Sequence, residues 1–226
     1  MFADSVIEPT VDCLVELANG GAAMEFAIGT GRIAVPLAAR VAGIELSADM
    51  LAVLRSKPEA SDISAVEGDM AGTFVDGEFS LVYLVFNTIT NLTSQDEQVA
   101  CFENAARHLG AGGRFVIENY VPRLRQLPPG NSGVPFALTK DYVGVEDFID
   151  CTHKQISRSR HFYGRPDGTF SSFAAPFRYV WPAELDLMAR IAGMRLEHRW
   201  ASWNRSPFTG DSPSHVSVWR LPEGKR

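Results

Sequence analysis

Met24-Glu25-Phe26-Ala27-Ile28-Gly29-Thr30-Gly31-Arg32-Ile33-Ala34-Val35-Pro36 is the stretch whose reading decides the fold. Phe26 and Ile28 supply a short apolar strand. Gly29 and Gly31 follow, and residues without a side chain let the backbone turn sharply and come close to a ligand. A helix is expected from Arg32 to Arg40, its first amide groups turned toward the same ligand. Strand, glycine turn and helix form the nucleotide-binding corner of a doubly wound sheet.

Working outward, strands and helices alternate. Val41 to Glu45, Ile63 to Glu67, Phe79 to Phe86 and Arg114 to Val121 read as further strands, the run to Phe86 as a fully buried central one. Ser47 is an N-cap for a helix carrying Met50, Leu51 and Leu54, closed by Pro58. Ser94-x-x-Glu97 is a capping box, opening a helix with Val99, Phe102, Ala106 and Leu109 on one face. Gly110 and Gly112 stop it. Upstream, Thr10 is expected to cap a helix to about Ala18, ended by Asn19-Gly20-Gly21. This alternation implies a parallel sheet with right-handed crossovers.

From residue 122 to about 176 the helical period disappears. Residues 127–133 read as a loop. Val143 to Ile149, Lys154 to Tyr163 and Phe170 to Val180 read as strands, with a turn at 165–168. Pro182 then opens a helix bearing Leu185, Met188 and Ile191, and Arg195 to Trp200 and His215 to Leu221 are the last strands. The loop between them carries Trp203, Arg205 and Phe208, which either line a pocket or bury the loop. The expected fold is α/β, a doubly wound seven-stranded mostly parallel sheet with an antiparallel β insertion. Residues 1–122 form the cofactor-binding core, 123–177 the insertion and substrate lid, and 178–226 the helix and strand pair that complete the core.

Composition narrows the function. Hydrophobic residues make up 46% and charged residues 21%, enough for a full core. A net charge of −6 argues against a nucleic-acid partner, which needs a basic face. Cys13, Cys101 and Cys151 are odd in number and without C-x-x-C spacing, so reduced thiols in a cytoplasmic protein are expected. No leader-like N-terminus and no membrane-spanning run is visible. No metal constellation stands out, and a homodimer is compatible with the sequence.

Two ligands compete for the glycine corner. Gly29-x-Gly31-x-x-Ala34 fits the dinucleotide pattern. An acid just before the glycines, Glu25, and another ending the next strand, Glu45, fit S-adenosylmethionine instead. The ordered set Glu25-x-Ala27-x-Gly29-x-Gly31, Gly43-Ile44-Glu45-Leu46-Ser47-x-x-Met50-Leu51, Glu67-Gly68-Asp69-Met70, Phe86-Asn87 and His108-Leu109-x-x-Gly112-Gly113-Arg114-Phe115-Val116-Ile117-Glu118 resembles the class I S-adenosylmethionine-dependent methyltransferases. The stretches 85–92 and 179–188 resemble a bacterial small-molecule branch of them.

The resemblance implies roles. Gly29 and Gly31 approach the methionine part of the cofactor, with Ala27 where a first glycine is usual. Glu25 holds its ammonium, directly or through water. Glu45 accepts from the ribose hydroxyls, Leu46 and Met70 sandwich the adenine, and Asp69 accepts from its amino group. Phe86 and Asn87 lie beside the sulfonium. The product is S-adenosylhomocysteine, and the acceptor is N, O or C of a small molecule. A non-catalytic module binding either form, and a nicotinamide-dependent oxidoreductase, are the alternatives.

The insertion carries eight Lys/Arg against five Asp/Glu between Arg123 and Arg178, so an anionic or polar substrate is one expectation and a solvated sheet face the other. His153 and His161 are the candidate bases. Glu118, Tyr120 and Arg178 are candidate substrate residues at the expected mouth. A base is needed only for an acceptor that arrives protonated.

Overall fold

The computed structural model describes residues 4–37 and 40–224. Its elements are α1 (Asp4–Ala18), β1 (Ala23–Phe26), β2 (Val41–Glu45), α2 (Ala48–Arg55), β3 (Ser64–Glu67), β4 (Phe79–Leu84), α3 (Gln95–His108) and β5 (Leu109–Tyr120). Then follow β6 (Gly133–Leu138), β7 (Tyr142–Asp150), β8 (Ile156–Gly164), β9 (Phe170–Arg178), α4 (Pro182–Ile191), β10 (Arg195–Trp200) and β11 (Ser214–Arg220).

Seven strands form the main sheet in the order β10-β11-β5-β4-β1-β2-β3. β1 to β5 run parallel, and β11 pairs antiparallel with both β5 and β10. β1 therefore lies between β2 and β4, where the winding direction reverses. Ligands bind outside the carboxyl ends of the strands at such a reversal.

Each face of the sheet is buried. Phe26, Ile44, Leu84, Phe115 and Trp219 pack on one side with Phe102 of α3 and Leu185 and Met188 of α4. Tyr83, Val116 and Val218 pack on the other with Leu14 of α1, Leu51 of α2 and Ile33. Phe102 meets Phe115 and Trp219 edge-on at 5.0 and 5.2 Å. These fully buried strands explain the near-continuous apolar runs. Both expected caps are present: Ser47 Oγ accepts from Met50 N–H, and Ser94 and Glu97 close a reciprocal box.

β6 to β9 form a separate antiparallel sheet in chain order. It is joined to the mouth of the main sheet where Tyr120 Oη donates to Glu146 Oε1 at 3.0 Å.

Three expectations need correction. Thr10 does not cap α1 but sits fully buried inside it, and the helix runs from Asp4 through Pro9. Residues 32–37 form turns, with N–H bonds from Val35 to Gly31 O and from Leu37 to Ile33 O. Pro36 cannot donate to Arg32 O, and Ala34 N–H bonds to Glu25. The expected helix also took in residues 38 and 39, which lie outside the described residues. Finally, the expected loop 127–133 gives way at Gly133 to β6, a strand the sequence reading does not include. Gly133 and Pro135 mask it, yet it pairs with β7 through an irregular register at Pro135/Ala137. Among the described residues no helix is long and apolar enough to cross a membrane.

Candidate active site

Gly29 and Gly31 have φ of +57° and +78°. At Gly31 a side chain is excluded twice, because an added Cβ would lie 2.4 Å from Leu54 Cδ1. Ala27 adopts φ +54° despite its Cβ. At the end of β4, Phe86 and Asn87 have φ of +55° and +61°. Left-handed backbone costs a side-chain-bearing residue about 1–2 kcal/mol. Such positions cluster at ligand sites, and here they flank the reversal on both strands.

The carboxylate of Glu45 organises the loop. Oε2 accepts from Gly29 N–H at 2.8 Å and Oε1 from Ser47 N–H at 2.9 Å. Glycine turn, β2 and the start of α2 are thus tied to one buried side chain, and each carboxylate oxygen has a further acceptor direction. Beside it opens a cleft of about 610 Å³, lined by Ala27, Glu45, Leu46, Asp69, Met70 and Thr88 among others. Leu46 is 71% exposed and Met70 8% exposed. Asp69 Oδ1 accepts from Ala71 N–H at 2.8 Å.

Five of the ten expected cofactor residues therefore line one cleft: Ala27, Glu45, Leu46, Asp69 and Met70. Gly29 and Gly31 shape the adjoining loop, and Phe86 and Asn87 form the end of β4. Sequence reasoning missed Thr88, Asn91, Leu92 and Glu97, which also line it. The signal for the first three is the stretch 85–92, whose turn follows the left-handed pair, and Glu97 is the acid of the capping box.

Glu25 is not on the cleft wall. It is 3% exposed, accepts from Tyr83 Oη at 3.0 Å and bonds Ala34 N–H. Burial pushes its carboxyl up to about 8, with Glu45 adding to the rise and the bonds from Tyr83 and Ala34 opposing it. A carboxyl walled in this way holds the turn after Gly31 from beneath.

At the end of β5, half-buried Glu118 accepts from Phe86 N–H through Oε2 at 2.9 Å. Burial raises its carboxyl. The Arg32 guanidinium lies 5.2 Å from the Phe86 ring centroid. Tyr120 donates to Glu146, which also accepts from Ser157 at 2.9 Å, so Tyr120 joins the two sheets.

The remaining candidates are placed elsewhere. Arg178 is buried at the end of β9, paired with Glu184 at 2.6 Å and bonded to Gln98 and Gln155. That network holds it behind the turn at 88–91, whose Ile89 O accepts from Gln98. His161 lies half-buried among Phe136, Tyr142, Tyr163 and Phe173, its Nδ1 2.8 Å from Tyr142 Oη. His153 is exposed in the turn after β7, its N–H bonded to Asp150 Oδ1. Neither histidine is brought to the ends of β4 and β5. Trp203 is buried in the core with its side chain beside Glu118, Arg205 stacks on Trp200, and Phe208 packs edge-on against His215. Among the described residues no group of three or more His, Cys, Asp or Glu is placed to hold a metal.

A doubly wound sheet in this strand order, with an acid-anchored glycine turn and a second acid-bearing loop, fits a protein that binds a nucleoside-bearing cofactor. Residues 23–113 match the family described as a methyltransferase domain. The cypemycin N-terminal methyltransferase of a Streptomyces species is 30% identical over 205 residues, covering 88% of this chain and 83% of that protein. The CcbJ methyltransferase of Streptomyces caelestis superposes with a TM-score of 0.84 at 33% identity, covering 95% of this chain and 88% of that one. CalS10, an amino pentose methyltransferase of Micromonospora echinaspora solved with S-adenosylmethionine bound, shares the fold with a TM-score of 0.71 at 18% identity, covering 95% and 89%. The chain belongs to the S-adenosylmethionine-dependent methyltransferases. The nicotinamide and non-catalytic alternatives give way to that membership. The residues present fit the cofactor: paired acceptors at the end of β2, a second acid at Asp69, and apolar Leu46 and Met70 in one cleft.

Proposed function

We propose that this enzyme methylates an amine nitrogen of a small molecule. The observation that carries the reading is Glu118, a half-buried carboxylate fixed to Phe86 N–H at the exit of β4 and β5. An acid in that position attracts an ammonium group and accepts its proton. Two relatives support the choice of nitrogen by name. One is the cypemycin N-terminal methyltransferase, and the other a dTDP-3-amino-3,6-dideoxy-alpha-D-glucopyranose N,N-dimethyltransferase of Streptomyces fradiae, 37% identical over 98 residues.

In this reading Glu45 accepts from the ribose hydroxyls, Leu46 and Met70 cover the adenine, and Asp69 accepts from its amino group. Ala27, Gly29 and Gly31 let the backbone close on the methionine part, and Glu25 supports them from below. The bound cofactor supplies an activated methyl on a sulfonium sulfur. The chain's own part is alignment and exclusion of water. Phe86 and Asn87 set the transfer line, and Glu118 orients the nucleophile and holds its proton. Residues 123–177, built around the second sheet, form the acceptor side. Unpaired Cys13, Cys101 and Cys151 support a reducing, cytoplasmic setting. The half-exposed cluster of Phe136, Tyr163 and Phe173 gives a homodimer an apolar face to use, and sedimentation equilibrium reads whether it does.

The test is label transfer from methyl-labelled cofactor to matched panels of primary amines, phenols, alcohols and carbon acids. Incorporation into amines alone supports the proposal. Incorporation into phenols or carbon acids with amines inert overturns it.

A further inference from the structure

The segment 69–75 carries Asp69 and Met70 on the cleft wall but belongs to no helix or strand. It follows β3, an edge strand with two exposed residues, so the sheet alone does not fix it. Turn bonds from Gly72 and Thr73 N–H to Asp69 O shape it, and one face of α3 holds that turn against the core. Asn104, 1% exposed, donates through Nδ2 to Met70 O at 2.9 Å and Thr73 O at 3.0 Å. Arg107 donates to Asn104 Oδ1 at 2.6 Å and to Gly72 O at 3.2 Å. His108 Nδ1 lies 2.7 Å from Asn104 O. A carbonyl only accepts, so Nδ1 carries the proton. Nε2 is then free to accept Val75 N–H at 2.9 Å. Phe74 stacks on the His108 ring at 4.8 Å, with the Arg107 guanidinium 5.8 Å from its centroid.

Residues at i, i+3 and i+4 share one helix face. Here that face interrupts an otherwise apolar surface of Cys101, Phe102 and Ala105 with two buried polar side chains. Their hydrogen bonds reach Met70, Thr73 and Val75, all in the one loop.

We infer that Asn104, Arg107 and His108 are positioning residues that set the adenine wall of the cofactor cleft, and with it the enzyme's discrimination between bases. This rests on the reading of Asp69 and Met70 as that wall. Asp69 favours a base bearing an amino group over one bearing a carbonyl. The loop must be held for that preference to operate.

The experiment titrates S-adenosylhomocysteine and S-inosylhomocysteine calorimetrically into wild type, Asn104→Asp, Arg107→Ala and Asp69→Asn, with thermal melting of each. Asn104→Asp keeps the side-chain shape but removes both donors. It is expected to weaken S-adenosylhomocysteine about tenfold and to lower the preference over the inosyl analogue. Arg107→Ala, a surface change that leaves the fold intact, is expected to act in the same direction by about threefold, with acceptor KM unchanged. Variants that melt lower yet keep affinity and base preference overturn the inference. If Asp69→Asn abolishes the preference while both α3 variants retain it, the clamp fails alone. If Asp69→Asn leaves it intact, the adenine-wall reading fails and the clamp with it.

Discussion

The backbone N–H of Gly29 donates to Glu45 Oε2 at 2.8 Å, so the turn after β1 is fastened to the acid that ends β2. One carboxylate holds the loop closed and faces the cleft. Glu45→Ala removes both backbone anchors and, in the proposed reading, the ribose acceptor. Its affinity for S-adenosylhomocysteine, read by calorimetry, should fall roughly a hundredfold, about 2–3 kcal/mol.

Ala27 stands in a left-handed conformation at φ +54°. Ala27→Gly removes a strain of about 1–2 kcal/mol and adds an unfolded-state entropy of about 0.4–1 kcal/mol. Urea unfolding should show a gain of up to about 1.5 kcal/mol. Ala27→Val, with a branched Cβ, should instead lose stability.

The Glu25 carboxyl is raised to about 8 in the fold, mainly by burial. A group whose folded pKa lies above its unfolded one stabilises most at low pH and loses that contribution as pH rises through the folded value. Stability from this site therefore declines from about pH 4.5 to about pH 8. Glu25→Gln keeps a neutral side chain in place and should flatten the stability profile across that window in a denaturation series.

Glu118 is also raised by burial, and in its proposed role the ionised form is the one that serves an amine. The acid limb of kcat/KM with an amine acceptor should lie above the ordinary carboxylate range. Glu118→Gln should abolish that limb and lower kcat at least tenfold, leaving cofactor affinity within about twofold.

Much of this was legible in the sequence where the cause is local. Val41–Glu45 was bounded correctly because a short apolar run ends on an acid, and Ser47 and Ser94 announced their helices through cap chemistry. Glu45, Leu46, Asp69 and Met70 could be proposed because they lie at or within three residues of the ends of β2 and β3, where this topology opens, and the fold gathers them on one cleft. What the sequence does not show has distant causes. Tyr83, 58 residues on, covers the Glu25 carboxyl only in the folded chain. The partners of His161 and Arg178, Tyr142 and Glu184, likewise meet them only through the fold. The turn at 32–37 departs from a helix because Ala34 N–H is taken by Glu25 and Pro36 has none to give.

The most direct test of the cofactor site is amide hydrogen exchange with and without saturating S-adenosylhomocysteine. Slowed exchange confined to residues 27–31, 44–47, 68–73 and 88–92 is the predicted result. Unchanged exchange in all four segments, with protection instead at the opposite ends of the strands near 17–22 and 110–114, would contradict it.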